Sequence, residues 1–220
     1  MGMGTNTAET DKIRRRLPRN ERERLIVDEA IRFFAEVGFE GQTRALAQRL
    51  GVTQPLLYRY FPDKESLIER VYQEVFEGGW DPQWEVALAD RSRPLAERLA
   101  QLYRSYTLEN FTYERVRLFM FAGLKDRAIA SRYLAFLREH LFVPLAREVR
   151  AAAGLDAAVQ PSEMEIEAAA GLHGAIGYVG LRRWVYQTSV EIDVNGAVTA
   201  LIEAFIAGAP AAARTLNLKA

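Results

Sequence analysis

The sequence predicts an all-α fold of about nine helices, an N-terminal three-helix head with a helix-turn-helix and a larger C-terminal helical bundle. Three observations predict it. Apolar residues recur at three- and four-residue spacing along most of the chain. No segment alternates apolar and polar residues for long enough to suggest a sheet. Glycines, prolines and capping residues fall between the periodic stretches, where helices start and stop.

The first helix spans residues 20–37. Asn20 followed three residues later by Glu23 is a start signal, and Leu25, Ile26, Ala30, Phe33, Phe34 and Val37 form its apolar stripe. Gly38 ends it. The second helix, residues 43–50, turns Leu46, Ala47 and Leu50 inward and Arg44, Gln48 and Arg49 outward. Gly51 makes the turn, since a Cβ would resist the positive φ required there. Thr53 caps the third helix, residues 54–60. Pro55 falls in its first turn, where a missing N–H costs nothing, and Pro62 ends it. Asp63 caps a fourth helix with Leu67, Ile68, Val71, Tyr72, Val75 and Phe76 on one face.

Trp80 and Trp84 sit in a connector punctuated by glycine and proline. A helix then begins near Pro94, with Leu95, Leu99, Leu102, Tyr103 and Tyr106 inward. Another covers residues 112–125, with Val116, Phe119, Met120 and Ala122 inward. A long helix over residues 128–153 is kinked at Pro144 and stopped by Gly154. Ser162 and Glu165 form a capping box that opens a helix reaching Tyr186. The last helix covers residues 194–207 and ends at Gly208 and Pro210. The organisation expected is a disordered basic arm (1–18), a helix-turn-helix domain (19–62), a connecting helix (63–79), a ligand-binding and dimerisation domain (80–210) and a frayed tail (211–220).

Composition narrows the function. The 220 residues are 49% hydrophobic, enough for a core, and the net charge is zero. Its distribution is uneven. Between residues 10 and 60 eleven basic side chains meet seven acidic ones, leaving +4 there and −4 over the remainder. A basic head on a mildly acidic body suits DNA binding by one end. The cluster Lys12, Arg14, Arg15 and Arg16 suits phosphates or a minor groove, or equally a solvated tail. The chain has no cysteine, which excludes disulfides, thiolate metal sites and cysteine nucleophiles. No apolar run approaches the length of a membrane span, and no signal peptide is seen, so a cytoplasmic protein without a membrane partner is expected. With only His140 and His173, catalytic and metal constellations are nearly absent. Glu163, Glu165 and Glu167 read as the acidic first turns of a helix. Neither an enzyme nor a cofactor or metal is expected.

The second and third helices therefore carry the chemistry. A short third helix presenting Gln54, Tyr58, Arg59 and Tyr60 leaves little for burial and suits the major groove of DNA. Arginine pairs bidentately with guanine O6 and N7, and glutamine with adenine N6 and N7. Tyrosine and threonine hydroxyls suit phosphate oxygens.

Across residues 19–76 the chain resembles the tetracycline-repressor (TetR) family of bacterial transcription regulators. The motifs are Thr43-Arg44, Ala47, Leu50-Gly51-Val52, Leu57-Tyr58-Arg59-Tyr60-Phe61 and Asp63-Lys64, with Val52-Thr53-Gln54-Pro55 especially close to the family's recognition helix. The resemblance implies base contacts by Arg44, Gln54, Pro55 and Tyr58, the last mixed with phosphate. It implies phosphate contacts by Thr43, Tyr60 and Lys64. Thr53 and Arg59 differ from the family's pattern and join the phosphate set on their chemistry, whereas Leu56 replaces a threonine and is assigned no contact.

Gly171, Gly174, Gly177 and Gly180 recur every three residues in the penultimate helix. Glycine within a helix costs about 1 kcal/mol relative to alanine, so close approach of another helix is the expected reason. In the resembled family the last two helices pair with their copies. A dimer interface through Gly171, Gly174, Gly177, Tyr178, Leu181, Leu201 and Phe205 follows. The resemblance also implies a small-molecule pocket, with Arg117, Phe119, Met120, Gly123, Tyr133, Phe136, His173 and Tyr178 as its candidate lining. For His173 a packed or interface role is the competing reading. The function expected is a homodimeric repressor bound to a palindromic double-stranded operator and released by a small, largely apolar ligand. The alternative is a sequence-tolerant or architectural DNA-binding protein without an effector.

Overall fold

The computed structural model describes residues 18–125, 127–188 and 193–217 and, among these, no strand. Residues 1–17 of the expected arm and 218–220 of the expected tail lie outside the described residues. Two compact units divide the chain. The head takes in residues up to Gly79 and the segment Arg117–Ile129; the body takes in Trp80–Val116 and the residues from Ala130 on.

The head is built on α1 (Arg19–Val37), α2 (Thr43–Arg49), α3 (Gln54–Tyr58) and α4 (Lys64–Tyr72), which continues through one π-helical turn, Gln73–Glu77. Ile26, Val27, Ala30, Phe33 and Phe34 of α1 are buried with Leu46, Leu50, Leu57, Phe61, Leu67 and Val71. The cap of α1 is Pro18 rather than Asn20, which lies inside the helix; proline's fixed φ suits that boundary. Thr53 occupies the cap of α3 without a side-chain bond, and α3 stops at Tyr58, two residues short of expectation. Asp63 does cap α4, in a reciprocal box with Ser66. Arg49, expected outward, is turned onto α1, where it meets Glu36 at 2.5 Å and Glu29 at 2.5 Å. That bridge fixes α2 against α1 and holds the Glu36 carboxyl below the usual range, the Arg49 hydrogen bond being the main cause.

The body contains α5 (Gln83–Ala89), α6 (Leu95–Asn110), the first turn of α7 (Tyr113–Lys125), most of α8 (Arg127–Leu137), a π-helical turn (Arg138–Phe142), α9 (Val143–Ala152), α10 (Glu163–Trp184) and α11 (Val194–Asn217). The connector expected around Trp84 is α5. Trp84 is buried, and its indole N–H donates to Ser105 Oγ at 3.2 Å. The single kinked helix expected over residues 128–153 is α8 and α9 joined by the π turn. Proline lacks the N–H and crowds the preceding turn, so the widened turn lies just before Pro144. In α7 the buried positions are Arg115, Leu118 and Ala122, while Val116, Phe119 and Met120 are only partly buried. The helix opened by the Ser162–Glu165 box ends at Trp184 rather than Tyr186.

The largest departure is α11. It runs through Gly208 and Pro210 to Asn217, so residues 211–217 are helix, not frayed tail. Asn217 donates to Glu165 at 3.0 Å and Arg214 to the Ala153 carbonyl at 3.3 Å, while Ala213 is buried. These contacts outweigh one backbone bond lost at proline. At this length α11 is long and apolar enough, by length and composition, to cross a membrane, contrary to the sequence expectation. Only Val198, Ile202 and Ala213 of it are buried.

Candidate nucleic-acid interface and body interior

The turn between α2 and α3 is set by Gly51, whose φ of +66° is disfavoured for any residue with a Cβ. The Val52 N–H donates back to Ala47 at 3.0 Å and closes the corner. Leu57 alone anchors α3 in the core, so the rest of that helix faces outward. Arg44, Thr53, Pro55 and Arg59 are exposed, Tyr58 is 38% exposed, and Gln54, Tyr60 and Lys64 are partly so. The Arg19 guanidinium lies over the Tyr60 ring, 5.9 Å from its centre. The structure thus leaves Arg44, Pro55 and Tyr58 accessible on the head and Gln54 partly so.

Thr43, expected on phosphate, is the buried member of the set. It is 7% exposed, and its hydroxyl meets two α3 side chains. Its Oγ1 lies 2.9 Å from Tyr58 Oη and accepts from Gln54 Nε2 at 3.0 Å. Sequence spacing carries no sign of this triangle.

The pocket candidates divide. Arg117, Phe119, Met120 and Gly123 belong to the head. There Arg117 Nε donates to the Ala35 carbonyl at 2.6 Å and satisfies the C-terminal end of α1, while Phe119 packs edge-on against Phe76. Tyr133, Phe136 and His173 belong to the body, and Tyr178 is half exposed on α10.

Inside the body an aromatic and polar cluster surrounds His173. Its ring lies 5.3 Å from Tyr106, 5.5 Å from Phe142 and 6.0 Å from Tyr103, with Tyr103 Oη 3.5 Å from its Nδ1. Tyr106 and Tyr133 share a 2.8 Å hydroxyl bond, and Arg115 donates to Tyr133 at 3.3 Å. Burial pushes both Tyr103 and Tyr106 up, keeping them protonated. Burial, helped by the charge of Arg115, pushes His173 down to about 4, so it is neutral at pH 7.

That shift has a sign. An unfolded histidine takes up its proton near pH 6.5, whereas the folded one waits until about pH 4. The contribution is complete above pH 6.5 and lost as pH falls through that window, in total about 3 kcal/mol. Urea unfolding followed from pH 7 to 4.5 should show this slope, and His173→Gln should remove it. Equal slopes in the two proteins would show that the imidazole is not enclosed.

Arg115 was not expected in this interior, and Tyr103 and Tyr106 were expected inward but not among the pocket candidates. A signal existed for Arg115, which shares helical spacing with the apolar Leu118 and Ala122.

Comparison with known proteins converges on one group. Residues 26–71 match the family described as bacterial regulatory proteins, tetR family. No curated protein matches the chain. The chain resembles a TetR-like transcriptional regulator from Rhodococcus sp. RHA1, at TM-score 0.64 and 21% identity over 87% of this chain and 96% of that one. It also resembles a TetR family transcriptional regulator from Pseudomonas syringae pv. tomato str. DC3000, at TM-score 0.59 and 20% identity over 87% and 97%. A putative TetR-family transcriptional regulator from Mesorhizobium loti MAFF303099 matches at TM-score 0.58 and 19% identity over 87% and 98%. At these identities the likeness establishes the fold.

Proposed function

Because the chain belongs, by its helix-turn-helix head, to the tetR family of bacterial regulatory proteins, which bind DNA and regulate transcription, we propose that it is a cytoplasmic homodimeric repressor. In this reading it binds a palindromic operator and leaves it when a small, largely apolar ligand enters the body. It performs no catalysis. The observation that carries the reading is α3: one buried leucine, with Pro55, Tyr58 and the following Arg59 turned to solvent and Gln54 partly so.

Arg44 reads a guanine edge and Gln54 an adenine edge, with Pro55 against a thymine methyl. Tyr58 serves base and phosphate. Thr53, Arg59, Tyr60 and Lys64 lie along the backbone, fixing register without reading sequence. Selection from a random duplex library identifies the operator, and anisotropy titration measures the variants. Arg44→Ala and Gln54→Ala should each weaken binding to the selected duplex by roughly ten- to a hundredfold, the loss of one base contact. Binding to unrelated DNA should barely change. Variants with unaltered sequence preference would show that these side chains read no base, as expected of a sequence-tolerant binder.

Support for the dimer comes from α10 and α11. A Cβ placed on Gly171, Gly174 or Gly177 would meet nothing within 4 Å, so no helix among the described residues explains these glycines. Gly180 differs, since its Cβ would press on Val116 and Phe111. Tyr178 is half exposed, Leu181, Leu201 and Phe205 are partly so, and the largely apolar α11 has few buried residues. A second copy laid on this face lets two heads read half-sites about one helical turn apart.

Support for the ligand comes from the body interior, apolar rings with a tyrosine, histidine and arginine strip that would fix orientation. The ligand acts by population shift, limited to its differential affinity for the DNA-competent arrangement and the other one.

A further inference from the structure

We propose that Thr43 is a specificity-determining positioning residue, whose hydroxyl holds Gln54 and Tyr58 in the arrangement that meets DNA; this rests on the groove-reading assignment above. Thr43 opens α2, while Gln54 opens α3 and Tyr58 closes it. The Gly51 corner folds the two helices together and brings three polar atoms into a triangle. Gln54 Nε2 donates to Thr43 Oγ1 at 3.0 Å and, more weakly, to Tyr58 Oη at 3.5 Å. The third side, between the two hydroxyls, measures 2.9 Å.

Burial ranks the members. Thr43 is 7% exposed and Tyr58 38% exposed, so the threonine anchors from beneath. A hydroxyl gives one hydrogen and accepts two, and a primary amide gives two. Thr43 accepts from Gln54, and one hydrogen serves the bond between the hydroxyls. With the buried threonine supplying it, Tyr58 keeps its own hydrogen for an outside acceptor. Gln54 keeps its Oε1, and its second N–H becomes available once the long 3.5 Å bond to Tyr58 yields, giving the pair that adenine N6 and N7 require. Both side chains are then ordered before DNA arrives, which lowers the entropy lost on binding.

This role separates from direct phosphate contact. A phosphate contact supplies affinity that is uniform across sequences and contributes to the salt slope. A positioning hydroxyl supplies discrimination only. Thr43→Val keeps shape and burial but deletes the hydroxyl, and Thr43→Ser keeps the hydroxyl.

The test selects preferred duplexes from a randomised library with wild type, Thr43→Val and Thr43→Ser. It also follows the Gln54 side-chain amide by NMR in the free proteins. Thr43→Val should lower affinity for the wild-type duplex about tenfold, the size of two lost hydrogen bonds. It should flatten the preference at the base positions read by Gln54 and Tyr58. The salt slope should stay put, the melting temperature should fall by only a few degrees, roughly what such bonds contribute to folding, and the Gln54 amide signals should move toward those of a free side chain. Thr43→Ser should restore all of these. Thr43→Ala carries the same expectation should valine perturb the start of α2. A Thr43→Val protein with wild-type preference and affinity overturns the inference. A wild-type protein that enriches no sequence overturns the base-reading assignment and takes the inference with it.

Discussion

Glu165→Ala should destabilise the protein by about 3–5 kcal/mol, the usual penalty for breaking a buried ion pair from one side. Glu165 is 5% exposed and Arg150 4%, and Arg150 Nη1 meets the two carboxylate oxygens at 2.8 and 3.0 Å. The carboxylate also accepts from the Ser162 amide at 2.8 Å, the Ser162 hydroxyl at 2.9 Å and Asn217 Nδ2 at 3.0 Å. Deleting it removes the carboxylate partner of Arg150, opens the capping box of α10 and takes one of the bonds that hold Asn217 to the body. Urea denaturation should register the loss as a lower midpoint. Glu165→Gln keeps one acceptor and the shape, so it should lose less. A loss under about 1 kcal/mol in the alanine variant would mean that water reaches the pair.

Acid should weaken the same link. Burial works to raise the Glu165 carboxyl, but Ser162, Asn217 and Arg150 outweigh it and hold the group below its usual range. A carboxyl lowered by folding stabilises above its unfolded value, near 4.3, and the contribution fades as pH falls through the folded value. The difference between wild type and Glu165→Ala should therefore shrink below about pH 4. Glu148 behaves alike. Burial raises it, yet hydrogen bonds from Arg91 and Arg98 dominate and keep it low.

These networks mark where the sequence was hard to read. The cap at Asp63, the capping box at Ser162, the Gly51 corner, the stripe of α6 and that of α1 up to the exposed Val37 follow from local spacing alone. Arg98, Glu148 and Arg150 occupy helical positions that spacing would give to apolar residues, and each is buried. Periodicity registers burial but not a partner fifteen or fifty residues away. The same blindness hid the end of α11. Gly208 and Pro210 are sound local stop signals, and what overrides them is tertiary, namely Asn217 and Arg214 bonded to the body. Helix α5 was missed because seven residues between Pro82 and Asp90 are too few for a stripe.

The recognition surface was the more legible site. A five-residue helix anchored by Leu57 leaves its other side chains outward whatever the rest of the fold does. The burial of Thr43 and the inward turn of Arg49 went unseen for the opposite reason. These depend on Tyr58 and Gln54 in one case and on Glu29 and Glu36 in the other, contacts that only the folded corner creates. Which unit each pocket candidate belongs to was not legible, because α7 contributes to both units and its residues cannot be sorted between them by periodicity.

Gly174→Leu should have opposite effects on the single chain and on the assembly. Within the chain a Cβ at Gly174 meets nothing within 4 Å, so the substitution adds no clash. Replacing a mid-helix glycine with leucine gains roughly 0.5–1 kcal/mol of helix propensity. The α10 helix should therefore become firmer. In a dimer packed through the Gly171, Gly174 and Gly177 face, however, the leucine separates two backbones that the glycines allow to approach. Sedimentation should show dissociation at concentrations where the wild type is dimeric. Operator affinity should fall by about 10²–10⁴-fold, the gain that linking two heads provides, while affinity for an isolated half-site stays the same. The paired signs give the prediction its force. A general folding defect lowers stability and affinity for both duplexes, and a bystander glycine leaves the dimer intact. Only a helix face reserved for a second copy gives a more stable chain that no longer holds two half-sites together.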